Sequence, residues 1–310
     1  SNESSVLAIL SLASYLNNHV NENTSGFSSE FSTDYLSDLE TTTLNNFKNV
    51  TIHSLNLPEK KTTSFTDDEF LLLKSAISLA GGNYSEKQVS IALYGESNEY
   101  NVSQITNMDE LFYNNKTFNE NINDWDVSNV TSMKKMFSYS DFNKPIYKWN
   151  VSNVINAQNM FQHWRGNQNL NTSVQSRDGV EYLAWYFNDD CDIDYLLNNA
   201  TNWNNGVEVT YDNNVVTEVK IWNDNANDYI ISKSINNGDT INESDYKVAP
   251  INWYIPTNIN KINNNINNMF YNCAVFNQDM EAKDITYSLN GQSNTYQSWK
   301  IPSNITSMYD

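Results

Sequence analysis

The chain of 310 residues is poor in cysteine, glycine, proline and basic residues. Its two cysteines, Cys191 and Cys273, lie far apart and form neither a disulfide framework nor a zinc-binding pattern. They form either one bridge or two buried thiols. No apolar run reaches 18 residues, so we expect no transmembrane helix. Ser1 opens the chain without a basic and apolar leader, so we expect a processed chain or a fragment.

Basic residues are outnumbered two to one by acidic residues, and this imbalance limits the possible partners. Lys and Arg total 18 against 37 Asp and Glu, which leaves a net charge of −19. Such a chain repels phosphate backbones and anionic membranes, so we expect no nucleic-acid partner and no direct membrane insertion. Asparagine makes up about one residue in six. This richness fits either a turn-rich extracellular surface or a base bias of the genome.

A repeat of about 25 residues organises much of the chain. Three copies follow one another, at Tyr100–Phe112, Trp125–Phe137 and Trp149–Phe161. The pattern breaks off near residue 171 and then returns, because Trp253–Ile259 matches Trp299–Ile305. One such unit cannot bury its apolar face alone, but stacked neighbours share a continuous core.

The spacing of apolar residues predicts the structure of one repeat. Trp125 and Val127 alternate, as on one face of a short strand. Val130, Met133 and Phe137 then step by three or four residues, as on one face of a helix. We therefore expect a short strand plus a helical turn per repeat, with the tryptophans in the core rather than acting as sugar platforms.

An asparagine follows the helical turn of each copy. A buried asparagine at this place can hydrogen-bond otherwise unpaired carbonyl groups of the bend. We expect a structural ladder formed by Asn119, Asn143, Asn167 and Asn277.

The motif W-D-V-S-N-V-T-x-M-x-x-M-F at residues 125–137, with F-N-Q-D at residues 276–279, resembles the BspA-like leucine-rich repeats. That family occurs in bacterial and mycoplasma surface lipoproteins, protist surface proteins and large DNA viruses. The resemblance covers residues 98–171 and 251–310, although Tyr100 replaces the tryptophan and Gly166 the phenylalanine. It implies an exposed solenoid that binds macromolecules without catalysis. Because the chain stops inside a repeat, we expect further repeats beyond it.

These features predict an α+β chain with a leucine-rich-repeat-type solenoid, a helical N-terminal region and inserted β-hairpins. Residues 1–97 contain helical patterns at 4–20, 29–49, 70–80 and 89–94, and form a cap, a small helical domain or an oligomerisation module. Residues 98–171 are the first repeat block. Residues 172–250 are an inserted α/β segment with a hairpin around residues 212–214. Residues 251–310 are a second block, interrupted at 281–298 by a hairpin that stands off the solenoid.

The titratable residues do not suggest an enzyme or a cofactor. The histidines, His19, His53 and His163, fall in different elements, and no phosphate-binding or nucleophile motif occurs. Three alternate acids mimic the start of a calcium loop, but the later glycine and glutamate positions hold tyrosine and threonine. We therefore interpret this group as a solvated acidic loop and expect no metal; its members are Asp190, Asp192 and Asp194.

Residues on either side of each tryptophan point away from the core. Stacked strands would align them in two exposed columns of polar and acidic character, which form either a binding face or a merely solvated one. The candidate binding residues are Glu99, Asn101, Asp124, Asp126, Lys148, Asn150 and Tyr254.

The sequence thus predicts a non-enzymatic, surface-exposed repeat protein for adhesion or recognition. Its partner would be a protein or a glycan on another surface. The alternative is a structural or decorating component of a virion or other extracellular assembly, which predicts self-assembly. Either reading places the chain outside the cell, on a cell surface or a virion surface.

Overall fold

The computed structural model describes residues 60–223, 228–235, 240–248, 252–256, 266 and 268–299. The chain divides into two compact units, Ser1–Tyr100 and Asn101–Asp310. The helices predicted at 4–20 and 29–49 lie outside the described residues.

The described part of the first unit contains two α-helices and two short 3-10 helices, the second of them at Ser97–Glu99. Thr66 and Glu69 form a capping box that starts a short 3-10 helix, Asp67–Glu69, which leads into α1 (Phe70–Ala80). Gly81 ends α1, and its N–H donates to the Ile77 carbonyl at 2.9 Å. No helix in the described ranges is long and apolar enough to cross a membrane.

The second helix, α2 (Tyr84–Tyr94), begins earlier than the sequence predicts. We expect a capping box at Ser85 and Gln88, but both residues lie inside the helix. Asn83 and Glu86 cap it instead: the Glu86 carboxylate accepts the Asn83 N–H at 2.8 Å, and the Asn83 side chain accepts the Glu86 N–H at 3.1 Å.

Successive copies of the repeat in the second unit are joined by parallel backbone hydrogen bonds. Single parallel bridges link Asn107 to Ser132, Ser132 to Asn156 and Asn156 to Asp192. Alternate N–H groups then donate to the next copy at 2.7 to 3.1 Å. In the central pair of copies the donors are Met133, Lys135, Phe137 and Tyr139, and the acceptors are Asn156, Gln158, Met160 and Gln162.

The part of each copy that makes these bonds is not the helical turn that the sequence predicts. We call it the turn segment; it spans residues 108–114, 133–139, 157–163 and 193–199. The remaining N–H groups, such as those of Met136 and Ser138, donate three residues back at 3.1 Å. Lys135 and Tyr139 have φ of 53° and 58°. N–H groups thus bond alternately within a copy and to the next copy, whereas a helix would satisfy them all internally. Residues 125–127, predicted as a short strand, likewise belong to no strand.

Aromatic columns form the core of the second unit. Phe112, Phe137 and Phe161 stack with centroid distances of 5.1 and 5.6 Å and nearly parallel rings. Trp149 and Trp185 stack at 6.3 Å, and each indole N–H donates to a carbonyl of the preceding copy. Equivalent residues therefore pack on one another from copy to copy, which buries them almost completely.

Residues 185–206 form a further copy of the repeat inside the segment 172–250, which the sequence assigns to an insertion. The N–H groups of Ala157 and Asn159 donate to the carbonyls of Asp192 and Asp194 at 2.8 and 2.9 Å. This copy is hidden in the sequence because Cys191, which is fully buried, stands where the other copies place isoleucine or valine.

Three insertions interrupt the repeats of the second unit. Each lies at the same place in successive copies, between the ladder asparagine and the next tryptophan. The first is a hairpin of β1 (Ser173–Arg177) and β2 (Val180–Ala184). The second is an antiparallel sheet of β3 (Val207–Asp212), β4 (Val215–Asn223) and β5 (Asp228–Ser234), followed by α3 (Glu243–Tyr246). The third is a hairpin of β6 (Asp284–Leu289) and β7 (Gln292–Gln297).

Candidate binding face

The candidate residues that precede the aromatic position are engaged within the chain. Asp124 and Lys148, from neighbouring copies, form an ion pair at 2.7 Å, and this hydrogen bond raises the pKa of Lys148. Glu99 belongs to the first unit, where its carboxylate accepts the Glu96 N–H at 3.2 Å and lies 3.4 Å from the Lys60 ammonium. This column therefore contributes to contacts between copies more than to an open surface.

The residues that follow the aromatic position form the outer column: Asn101, Asp126, Asn150, Tyr186 and Tyr254. The first three each accept a backbone N–H two residues ahead, at 3.1 to 3.2 Å. Tyr186 was not predicted, because the copy that contains it is hidden in the sequence. The column thus changes along the stack from turn-capping polar residues to tyrosines.

The first hairpin lies over part of this face. The Arg177 guanidinium pairs with Asp126 at 2.6 Å and donates to the Trp125 carbonyl at 2.9 Å. The Tyr182 hydroxyl donates to the Lys148 carbonyl at 2.5 Å. The predicted face is therefore partly covered by an element that the sequence does not place there.

The third hairpin was expected to stand off the stack, but it packs against it. The Asn290 N–H at its tip donates to the Glu181 carboxylate of the first hairpin. At its other end, the Tyr296 hydroxyl donates to the Asn252 carbonyl at 2.7 Å. The first and third hairpins thus lie side by side against the same part of the second unit.

Four tyrosines meet where the outer column reaches the third hairpin, and we call Tyr186, Tyr254, Tyr287 and Tyr296 the tyrosine cluster. Tyr186 and Tyr254 stack at 4.3 Å with rings 12° apart, and Tyr296 lies edge-on to both. The Tyr254 hydroxyl donates to the Asp189 carboxylate at 2.5 Å. Burial and the neighbouring Tyr254 raise the pKa of Tyr186, so its hydroxyl stays protonated at neutral pH.

The predicted asparagines line up with a fifth, Asn204, in one ladder. Each side-chain oxygen accepts the backbone N–H of the next member at 2.7 to 2.8 Å. The bonds along the ladder are made to N–H groups rather than to the carbonyl groups that we expect from the sequence, whereas Asn167 also donates to the Val207 carbonyl. Asn204 was not predicted, because it belongs to the copy at residues 185–206, which the sequence does not reveal. The ladder runs Asn119, Asn143, Asn167, Asn204 and Asn277.

The acidic loop is occupied by local hydrogen bonds. The Asp192 carboxylate accepts the Asp194 N–H at 3.0 Å, while Asp190 is exposed and its N–H donates to Asn188. Within the described ranges, no three His, Cys, Asp or Glu side chains are grouped to hold a metal ion. The nearby Cys191 thiol is free and buried.

Asp194 gives a testable pH dependence of stability. It is 6% exposed, and burial first and the Asp192 charge second raise the pKa of its carboxyl to about 7. The unfolded carboxyl loses its proton near pH 4. The folded state therefore holds the extra proton between about pH 4 and 7, and its stability falls as the pH rises through that window.

We expect Asp194→Asn to be more stable than the parent at pH 8 by up to about 4 kcal/mol, with little difference at pH 4. Urea unfolding at a series of pH values measures this difference. A constant difference across the pH range would show that Asp194 is not the titrating group. Asp190→Asn, at the exposed end of the loop, is the matched control.

Comparisons with known proteins agree with this picture at a coarse level. Residues 84–181, about a third of the chain, match the family model described as "Mycoplasma protein of unknown function, DUF285". Neither the curated proteins nor the solved structures contain a match to the chain. Residues 84–181 are therefore similar to a Mycoplasma family that is associated with BspA-like surface repeat proteins.

Proposed function

We propose that the second unit is a leucine-rich-repeat-type solenoid and that the chain is a non-enzymatic recognition protein on a cell or virion surface. It would bind a protein or a glycan on another surface. The observation that carries the proposal is the outer column. Five equivalent positions, ending in tyrosines, are held in register by a backbone hydrogen-bond ladder, and of these Asp126 is paired with Arg177 of the first hairpin. Such regular spacing of side chains on a rigid frame suits an extended binding surface.

The titratable groups of the described residues support a non-enzymatic role. His163 stacks on Tyr139 at 4.3 Å, and burial together with Lys116 lowers its pKa. Cys191 and Cys273 are free thiols, and burial raises the pKa of both, which disfavours the nucleophilic thiolate. These groups sit in packed positions rather than converging on one reaction centre.

The alternative is a structural component that assembles through the second insertion. Among the described residues, neither β3 nor β5 pairs with a further strand, and the sheet exposes four large apolar side chains. Exposed apolar residues on an unpaired strand edge favour association between copies. The side chains are Tyr211, Val215, Ile230 and Ile231.

Binding of the labelled full chain to an array of immobilised glycans and extracellular proteins tests recognition. We expect binding to at least one class, and we expect Asn150→Arg in the outer column to reduce it. Gln158→Arg adds the same charge on the turn segment and should leave binding unchanged. Equal effects of the two variants, or no binding by a folded chain, would contradict the proposal.

A further inference from the structure

The second unit already contains one binding site for an arginine side chain. Arg177 pairs with the Asp126 carboxylate at 2.6 Å and donates to the Trp125 carbonyl at 2.9 Å. Its guanidinium carbon lies 5.8 Å from the centre of the Tyr182 ring, within the range of a cation–π contact. A carboxylate, a carbonyl and a tyrosine ring thus hold a guanidinium group on the outer column.

The tyrosine cluster combines two of these groups, tyrosine rings and a carboxylate, two copies further along the outer column. Tyr186 and Tyr254 are half-buried and have stacked rings, and Tyr296 is edge-on to both. The exposed Asp189 carboxylate lies at the Tyr254 hydroxyl. The cluster therefore offers aromatic surface beside a carboxylate.

Charge determines which ligand suits this surface. Burial keeps the Tyr186 hydroxyl neutral by raising its pKa, while Asp189 places a carboxylate at the Tyr254 hydroxyl. The whole chain carries a net charge of −19, which attracts cations over a longer range. Among protein cations, the planar guanidinium both stacks on tyrosine rings and pairs with a carboxylate in a fixed geometry.

We propose that the tyrosine cluster and Asp189 bind an arginine side chain on a segment of a partner protein. This inference rests on the proposed recognition function and deepens it, because it names the partner class as a cationic polypeptide. The bound arginine would contact the Tyr254 ring and Asp189 as Arg177 contacts Tyr182 and Asp126.

Fluorescence anisotropy of a labelled Gly-Gly-Arg-Gly-Arg-Gly-Gly peptide, titrated with the full chain at low salt, tests the proposal. Asp189→Asn keeps an acceptor for the Tyr254 hydroxyl but removes the charge, and Tyr254→Leu removes the ring. We expect each variant to weaken binding by about fivefold or more. Asp212→Asn removes the same charge from the second insertion and should change binding by less than about twofold. A lysine version of the peptide should bind about threefold or more weakly.

Several outcomes would overturn the proposal. If Asp189→Asn and Asp212→Asn weakened peptide binding equally, the net charge of the chain alone would attract the peptide. Equal binding of the arginine and lysine peptides would lead to the same conclusion. Binding of chitohexaose that Tyr254→Leu abolishes, without peptide binding, would assign the cluster to glycans. Failure of the peptide with retained, Asn150-dependent binding on the array would reject only this site. Failure of both would reject the proposed function too. Circular dichroism confirms that each variant is folded.

Discussion

Replacing Trp149 with alanine should lower the free energy of unfolding by about 3 to 5 kcal/mol. The Trp149 side chain is fully buried, stacks on Trp185 at 6.3 Å and lies 5.9 Å from Phe137. Its indole N–H donates to the Ile122 carbonyl at 3.0 Å, in the preceding copy. The variant therefore leaves a cavity at the junction of three copies, and the Ile122 carbonyl keeps the Trp125 N–H but loses its bond to the indole.

Two companion variants separate these contributions. Trp149→Phe retains most of the ring but loses the N–H, so we expect an intermediate loss of stability. Tyr139→Ala removes an aromatic ring that is 38% exposed, on the turn segment, and should cost less than about 1.5 kcal/mol. Urea unfolding followed by circular dichroism measures all three. If Trp149→Ala and Tyr139→Ala were equally stable, the tryptophan column would not form the core.

Replacing Asn167 with alanine should lower the free energy of unfolding by about 3 kcal/mol. Asn167 is the member of the asparagine ladder whose side chain makes the most hydrogen bonds. Its side-chain oxygen accepts the N–H groups of Asn204 and Gly206 at 2.7 and 3.0 Å. Its side-chain nitrogen donates to the Val207 carbonyl at 3.0 Å. Asn167 and Asn204 are buried, so water cannot readily replace these bonds.

Asn119 supplies the matched control within the same ladder. It is exposed, and its side chain accepts one N–H, that of Asn143, at 2.7 Å. We expect Asn119→Ala to lower the free energy of unfolding by about 1 kcal/mol or less, because water can replace the lost acceptor. Thermal unfolding of both variants measures the difference. Similar losses for the two would mean that the ladder does not stabilise the fold through its buried bonds.

Periodicity in the sequence was sufficient to locate the aromatic columns. Equivalent apolar residues recur at a fixed spacing, and a stack can bury them only by placing them on one another. The same periodicity could not reveal the copy at residues 185–206, because its core positions are filled by other residues, such as Cys191 and Ile193. Burial depends on size and polarity, which different side chains can share.

The backbone conformation of the turn segment could not be predicted from local preferences. Positive φ angles usually indicate glycine or asparagine, yet Lys135 and Tyr139 adopt them here. The gain that offsets this strain comes from hydrogen bonds to the next copy, such as that from Tyr139 to Gln162. Those bonds appear only when copies stack, so a single repeat contains no signal for them.

The candidate face was only partly predictable, for a related reason. Alternation around the tryptophans indicated which side chains leave the core, and this placed Asp126 and Tyr254 in the outer column. The contact of Arg177 with Asp126 joins residues from separate elements, and Tyr186 lies in the hidden copy. Abundant asparagine also has a structural use here, since side chains such as those of Asn101 and Asn150 cap turns.

Light scattering of the full chain at several concentrations tests most directly whether it recognises partners as a single molecule or builds an assembly. Recognition through the outer column predicts the monomer mass of 35.6 kDa at every concentration. A discrete oligomer would contradict that prediction. If removal of residues 1–97 abolished the oligomer, the N-terminal region would form the contacts between copies of the chain. The repeats would then be displayed on the outside of the assembly.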